Sequence, residues 1–159
     1  MKKVNTHTLK SVPWVSPKGK YVVENTLVSE ALGRKPLSMN LEERHPFDVT
    51  IARIPAGASN YPYHAHSAQW EFYHVISGSG TVRHPEGTTP IEPGDAFVFG
   101  PGEAHQLTNT GTADLIVYVV SDNPLGESCY YPDSQKWLVR SPERRLMRSD
   151  ALDYYDGEE

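Results

Sequence analysis

The pattern of apolar and polar positions changes character near residue 47. Before it, Pro13, Pro17, Gly19, Pro36 and Pro46 interrupt the chain and leave an irregular lead-in over residues 1–46. One short helix is predicted there, from Thr26 to Leu32. Asn25 or Thr26 would cap it, Leu27, Val28 and Ala31 would pack, and Gly33 would end it. From 47 to 121 the chain reads as short β-rich runs: Phe47–Ile54, Tyr61–His66, Glu71–Ser77, Gly80–His84, Ala96–Phe99, His105–Asn109 and Leu115–Ser121. Turn residues separate them, as in Pro55-Ala56-Gly57, Ser77-Gly78-Ser79-Gly80 and Glu92-Pro93-Gly94-Asp95. Closely spaced strands of this kind predict an all-β sandwich or barrel. Residues 122–159 are polar and aromatic, too poor in aliphatic side chains for a second domain. They are expected to wrap the barrel or pack on a partner subunit.

Composition narrows the function classes. The 159 residues suit one domain, and 38% hydrophobic with 22% charged residues is an ordinary globular mixture. Net charge is −5, and no Lys/Arg run could track a phosphate backbone, so nucleic acid is not an expected partner. The single cysteine, Cys129, excludes an intramolecular disulfide scaffold and is expected to be a buried structural thiol. Behind Met1-Lys2-Lys3 no apolar leader core follows, and no stretch approaches the roughly 20 apolar residues of a membrane span. A soluble, cytoplasmic protein without membrane contact is the expectation.

The chemistry-bearing residues cluster in the strand region. His64 and His66 lie two apart in a β-like run, so both imidazoles leave the same face and can enter a barrel. Glu71 follows after a tight connection, and His105 comes after the turn Gly100-Pro101-Gly102. Three imidazoles and a carboxylate suit iron, manganese, nickel, cobalt, copper or zinc. If Glu71 points inward, Tyr73 and Val75 share its face while Phe72 and His74 point away, which makes His74 a packing residue. By the same alternation Leu107 joins His105 and Gln106 does not. Tyr61, Tyr63, Gln69 and Trp70 flank the histidine pair and could line the mouth of the site or pack its rim. Arg53 either enters the barrel, where it needs a carboxylate or a bound anion, or faces solvent.

The framing glycines give these residues a context. Gly57, His64, His66, Glu71 and Gly78 resemble the first motif of the cupin superfamily, and Gly94, Gly102, His105 and Asn109 resemble the second. The 15 residues from Ser79 to Pro93 separate the two motifs, a short connection similar to compact microbial cupins. The Gly57–His64 gap is one residue longer than the commonest pattern. The His66–Glu71 gap takes its longer form, and the expected proline arrives one place late as Pro101. All three changes fall in loops.

The resemblance implies a double-stranded β-helix over 47–121, with His64, His66, Glu71 and His105 as ligands of one divalent transition metal such as Fe, Mn, Zn or Ni. Positive φ at the turn glycines Gly78 and Gly94 is part of the same expectation. The layout resembles small single-domain bacterial cupins described as sugar-phosphate isomerases. It implies a metal-dependent enzyme acting on a small polar metabolite, with Lewis-acid help at substrate oxygens and Tyr73 and Glu71 as catalytic candidates. Tyr61, Tyr63 and Arg53 are the candidate substrate contacts. A dioxygenase, a decarboxylase and a non-catalytic binder are the alternatives, because fold alone does not settle activity. No Gly-rich phosphate loop or local basic cluster is visible in the sequence. A homodimer is the expected assembly.

Overall fold

The computed structural model describes residues 1–36, 38–140, 143–148 and 151–158. In chain order the elements begin with β1 (Val12–Val15), β2 (Val22–Leu27), α1 (Val28–Ala31) and α2 (Leu41–Arg44). The barrel strands are β3 (Phe47–Ile54), β4 (Ala65–His66), β5 (Glu71–Ser77), β6 (Gly80–His84), β7 (Gly87–Ile91), β8 (Ala96–Phe99), β9 (Gln106–Thr108) and β10 (Leu115–Asp122). Three more follow: β11 (Ser128–Tyr131), β12 (Lys136–Val139) and β13 (Arg145–Met147).

They form a double-stranded β-helix. A six-stranded sheet of order β1-β2-β3-β10-β5-β8 packs against a three-stranded sheet, β7-β6-β9, and a four-stranded one, β13-β12-β11-β4. Strand alternation decides what each face carries. Along β5, Tyr73 and Val75 are buried while Phe72, His74 and Ile76 are exposed, as the period of two requires. The core joins Val23, Ala52, Ile54, Tyr73, Val75, Leu115 and Val117 of the large sheet to Val82, Ile91 and Leu107 of the small one. Asn109, at the end of β9, is fully buried and closes the following turn. Its amide donates to the carbonyls of Ile54 and Ala113, and its oxygen accepts from the Gly111 amide.

Three local expectations are corrected. The helix predicted over Thr26–Leu32 is shortened to Val28–Ala31, because β2 runs on to Leu27 and pairs with β3 from Glu24↔Arg53 to Leu27↔Thr50. One helical turn has no independent stability. It persists because buried Ser29 accepts the Val49 amide through its hydroxyl. Extended structure over Tyr61–His66 contracts to Ala65–His66, with a single bridge at His64. The run from Gly87 to Ile91 was not anticipated as a strand, and its Pro90 lacks an amide donor. It forms an edge strand, where a proline is tolerated. Among the described residues no helix is long and apolar enough to cross a membrane.

Candidate metal centre

Three separate pairings bring four distant residues to one point. His64 and His105 face each other across an antiparallel bridge, exchanging backbone hydrogen bonds of 3.2 and 2.8 Å. Their rings therefore lie with centroids 4.8 Å apart. His66 sits on β4, opposite Cys129 of β11. Glu71 opens β5, whose first inward position turns its carboxylate toward the histidines. One donor atom from each of His64, His66, Glu71 and His105 falls within 4.8 Å of the other three. The three histidines are buried and Glu71 nearly so.

The outer partners orient these rings. His64 Nδ1 donates to the Pro62 carbonyl at 2.9 Å, and His105 Nδ1 donates to the Glu103 carbonyl at 3.1 Å. A carbonyl oxygen only accepts, so in each ring the proton sits on Nδ1 and the Nε2 lone pair turns inward. His66 Nδ1 donates to the Glu127 carboxylate at 2.9 Å, which turns its Nε2 inward in the same way. Nε2 of His66 and of His105 lie 3.4 and 2.9 Å from Glu71 Oε2. Three imidazoles and a carboxylate converging in a buried site could hold a cation, and this donor set fits a divalent transition metal.

Electrostatics agree. Burial, and then the neighbouring His105, push His64 down to about 4, which keeps it a neutral ligand. Burial also opposes charge on His66, but contacts with Cys129, Glu127 and Glu71 outweigh it and push His66 up to about 12. Glu71 is held well below the usual carboxylate range, since its contacts with the His105 and His66 rings overcome its burial. The centre thus favours positive charge beside an ionised Glu71.

Three of the four candidate ligands, His64, His66 and Glu71, line a cavity of about 700 Å³ between the large sheet and the four-stranded one, while His105 is buried beside them. Tyr73 points into it as expected, its hydroxyl donating to Glu71 Oε2 at 2.7 Å and lying 3.2 Å from His105 Nε2. Burial, together with the charge of Glu71, holds its phenol protonated, well above the usual range. Tyr61 also lines the cavity and accepts from Asn25 Nδ2 at 2.6 Å. Gln69 lines it too, with its amide donating to the Asp122 carbonyl.

Two of the expected substrate contacts are not brought there. Tyr63 belongs to the opposite face, packed with Ala65 and Ala104 beneath the Arg83 guanidinium at 3.8 Å. As an i−1 neighbour of His64 it points away from the ligands. Arg53 lies on the outer face of β3, half-exposed and tied to Glu24 at 2.9 Å and Asp114 at 2.7 Å. Its partners are carboxylates of the surface and no anion subsite forms around it. Trp70 is exposed and packs at Gly100.

Other residues at the site had not been singled out. Ser121 donates to Glu71 Oε1 at 3.1 Å; the inward phase it shares with Val117 and Val119 on β10 was a usable signal. Tyr131 stacks on His64 with centroids 6.0 Å apart. Glu127 and the thiol of Cys129 both reach His66 Nδ1, and no local pattern in the sequence marks either of them.

Comparison with known proteins places this arrangement in context. Residues 50–121 match the family model described as Cupin domain. A solved structure from Acidithiobacillus ferrooxidans, named as a candidate sugar phosphate isomerase, superposes with TM-score 0.78 at 25% identity, covering 92% of each chain. One from Silicibacter pomeroyi, named as a cupin-superfamily sugar phosphate isomerase, superposes with TM-score 0.76 at 22% identity, covering 96% of this chain and 97% of the other. An oxalate-binding protein of Thermotoga maritima is 33% identical over 63 residues, 40% of this chain and 51% of that protein. The chain spans about half the length of the curated relatives it matches.

Proposed function

We propose that this chain, whose residues 50–121 are a cupin domain, is a divalent-metal-dependent enzyme that isomerises a small polar metabolite of the sugar-phosphate kind. The observation that carries the reading is the convergence of three imidazoles and the Glu71 carboxylate, of which His64, His66 and Glu71 line a cavity of about 700 Å³. That volume falls within the roughly 300–1,000 Å³ of small-molecule sites. The similarity to the Acidithiobacillus protein points the same way.

His64, His66, Glu71 and His105 would hold the metal, which supplies Lewis-acid stabilisation of negative charge on a substrate oxygen. The other roles belong to the chain's own groups. Tyr73 keeps its proton at neutral pH and serves as a donor at its hydroxyl, beside Glu71 Oε2. Ser121 and Tyr73 hold the two Glu71 oxygens from opposite sides and fix the carboxylate. Arg34, Arg140 and Arg144 stand among the cavity-lining residues, although Arg34 is far from the other two in sequence. Arg34 is engaged by Asp48 at 3.3 Å. Arg140 and Arg144 lie near enough to Tyr131 to oppose the effect of burial on its phenol, and they supply the cationic wall that an anionic substrate requires.

The test is turnover of a sugar-phosphate panel with the native metal, followed by NMR. Tyr73→Phe is expected to lower kcat by roughly 10²–10⁴-fold with metal content unchanged. Uniform inactivity across the panel would sink the isomerase reading. The similarity to an oxalate-binding protein favours one second reading, a non-catalytic binder of small carboxylates. It expects oxalate to raise Tm without any turnover.

The active form in this proposal is a homodimer. Strand β1, at the edge of the large sheet, leaves Val12, Trp14 and Val15 exposed, and an apolar edge of this kind invites pairing. Light scattering is expected to give twice the 17.8 kDa chain mass. A monomeric mass removes the dimer from the proposal.

A further inference from the structure

Glu127 is only 2% exposed, yet none of its observed partners is a lysine or arginine. A buried carboxylate costs several kcal/mol unless it is fully hydrogen-bonded. Here the donors are specific. Oε1 accepts from His66 Nδ1 at 2.9 Å and from the Ser67 amide at 3.3 Å. Oε2 accepts from the Ala68 amide at 3.0 Å and the Gln69 amide at 2.9 Å. One carboxylate therefore holds a candidate metal ligand and the Ser67 amide with one oxygen and, with the other, two further amides of the loop that leads to the next candidate ligand, Glu71. The loop is the long form of the His66–Glu71 gap, and three consecutive amides turned toward one anion give it a defined shape. Glu127 precedes β11, whose pairing with β4 brings it to this loop. The Ser67 amide also donates to the Ser128 carbonyl at 2.8 Å, and Ser67 Oγ accepts the Ser128 amide at 2.9 Å, which pins the two segments together.

We propose that Glu127 is a positioning residue of the metal centre: it fixes His66 in the Nδ1–H tautomer and sets the path of residues 67–69, and so the placement of Glu71. The inference rests on the metal reading above. It also makes the three histidines unequal, since His64 and His105 donate to neutral carbonyls and only His66 donates to a carboxylate. A carboxylate partner raises the basicity of the ligating nitrogen. Glu127 thereby strengthens the hold on the ion through His66.

Glutamine cannot replace it. The two oxygens face different donors, and a carboxamide has only one oxygen to offer. With its NH₂ toward the loop it opposes the Ala68 and Gln69 amides. With its NH₂ toward His66 it drives the ring proton to Nε2 and blocks ligation. Cys129 Sγ also approaches His66 Nδ1, at 3.4 Å, but a thiol is a weak partner and does not touch the loop amides.

Cobalt(II) is the probe, with affinity from chelator competition and the visible absorption of the bound ion as a spectroscopic signature. Glu127→Gln is expected to weaken binding by roughly 10–100-fold and to change the spectrum, whereas Arg53→Ala, on the outer face of β3, stays within about two-fold of wild type. Glu127→Asp, a carboxylate one methylene shorter, is expected to fall between wild type and Glu127→Gln, and it decides the matter if Glu127→Gln does not fold. A purely structural role would lower the metal-free Tm and leave cobalt affinity and spectrum as in wild type; that result in Glu127→Gln or Glu127→Asp overturns the proposal. A wild-type protein that takes up no cobalt overturns the metal reading, and this inference with it. Wild-type uptake with unchanged variants removes Glu127 alone.

Discussion

His105→Ala is expected to abolish stoichiometric metal binding, from about one ion per chain to less than about a tenth, by elemental analysis of protein purified without added metal. Among the ligands His105 is the most deeply enclosed, with 1% exposure. Its ring stacks on Phe99 with centroids 4.3 Å apart and planes 4° from parallel. Its Nε2 is the nitrogen closest to Glu71 Oε2, at 2.9 Å. The substitution removes a candidate ligand and also the ring nitrogen that both the Tyr73 hydroxyl and Glu71 Oε2 approach. Folding should suffer as well, because truncating a buried ring costs about 3–5 kcal/mol in a site that cannot collapse. His64→Ala is expected to give the same metal loss with its backbone bridge kept. His74→Ala and Arg53→Ala, both on the outer face, should retain the ion. Retention of a near-stoichiometric metal by His105→Ala and His64→Ala would mean that the ligands are elsewhere.

The second large effect concerns the fold that presents the site. Gly78→Ala is expected to destabilise the protein by more than about 3 kcal/mol and to lower Tm by roughly 6–12 °C. Gly78 holds φ at +80° in the turn between β5 and β6. Left-handed backbone costs an L-residue about 1–2 kcal/mol. An added Cβ would also run into the Asp114 carbonyl oxygen and lie 2.8 Å from Leu115 Cα, and backbone cannot swing aside as a side chain can. Relief requires moving the β5–β6 turn off the start of β10, next to fully buried Leu115. Gly57→Ala is the matched control, with φ at +77° and open space around its Cβ. It should lose only the conformational part, about 1–2 kcal/mol. Denaturant melts of the two variants measure the difference, and equal losses would show that the clash at Gly78 is absorbed.

The residues legible in the sequence are those whose geometry is local. His64 and His66 share a face because strand side chains alternate, and the same rule put Tyr73 and Val75 inward and His74 outward, as observed. The positive φ at Gly78 and Gly94 was equally readable, because the turns that need it are written in short glycine-bearing segments. Arg53 was not settled, for a physical reason. Strand β3 has apolar residues in both phases, Val49 and Ile51 on one and Ala52 and Ile54 on the other, so its pattern does not choose a face until β10 and β2 pair with it. Tyr63 was misplaced because Tyr61 and Tyr63 look equivalent in sequence. The chain around Tyr61 is not a strand, and that freedom lets Tyr61 reach the cavity while Tyr63 packs under Arg83.

By itself, then, the amino-acid order determined an all-β sandwich or barrel and its turns, which depend on spacings within a strand or a turn. The resemblance of its two glycine-framed motifs pointed to the double-stranded β-helix and the four candidate ligands. Tertiary structure decided the rest. Glu127 lies 61 residues from His66 and Cys129 lies 63 from it, and only the pairing of β11 with β4 makes them neighbours. Arg34 likewise lines the same cavity as Arg140 and Arg144, although it lies far from them in sequence. Period and turn chemistry act over a few residues. The environment that orients a ligand or meets a substrate is assembled from strands that find each other only when the chain closes on its core.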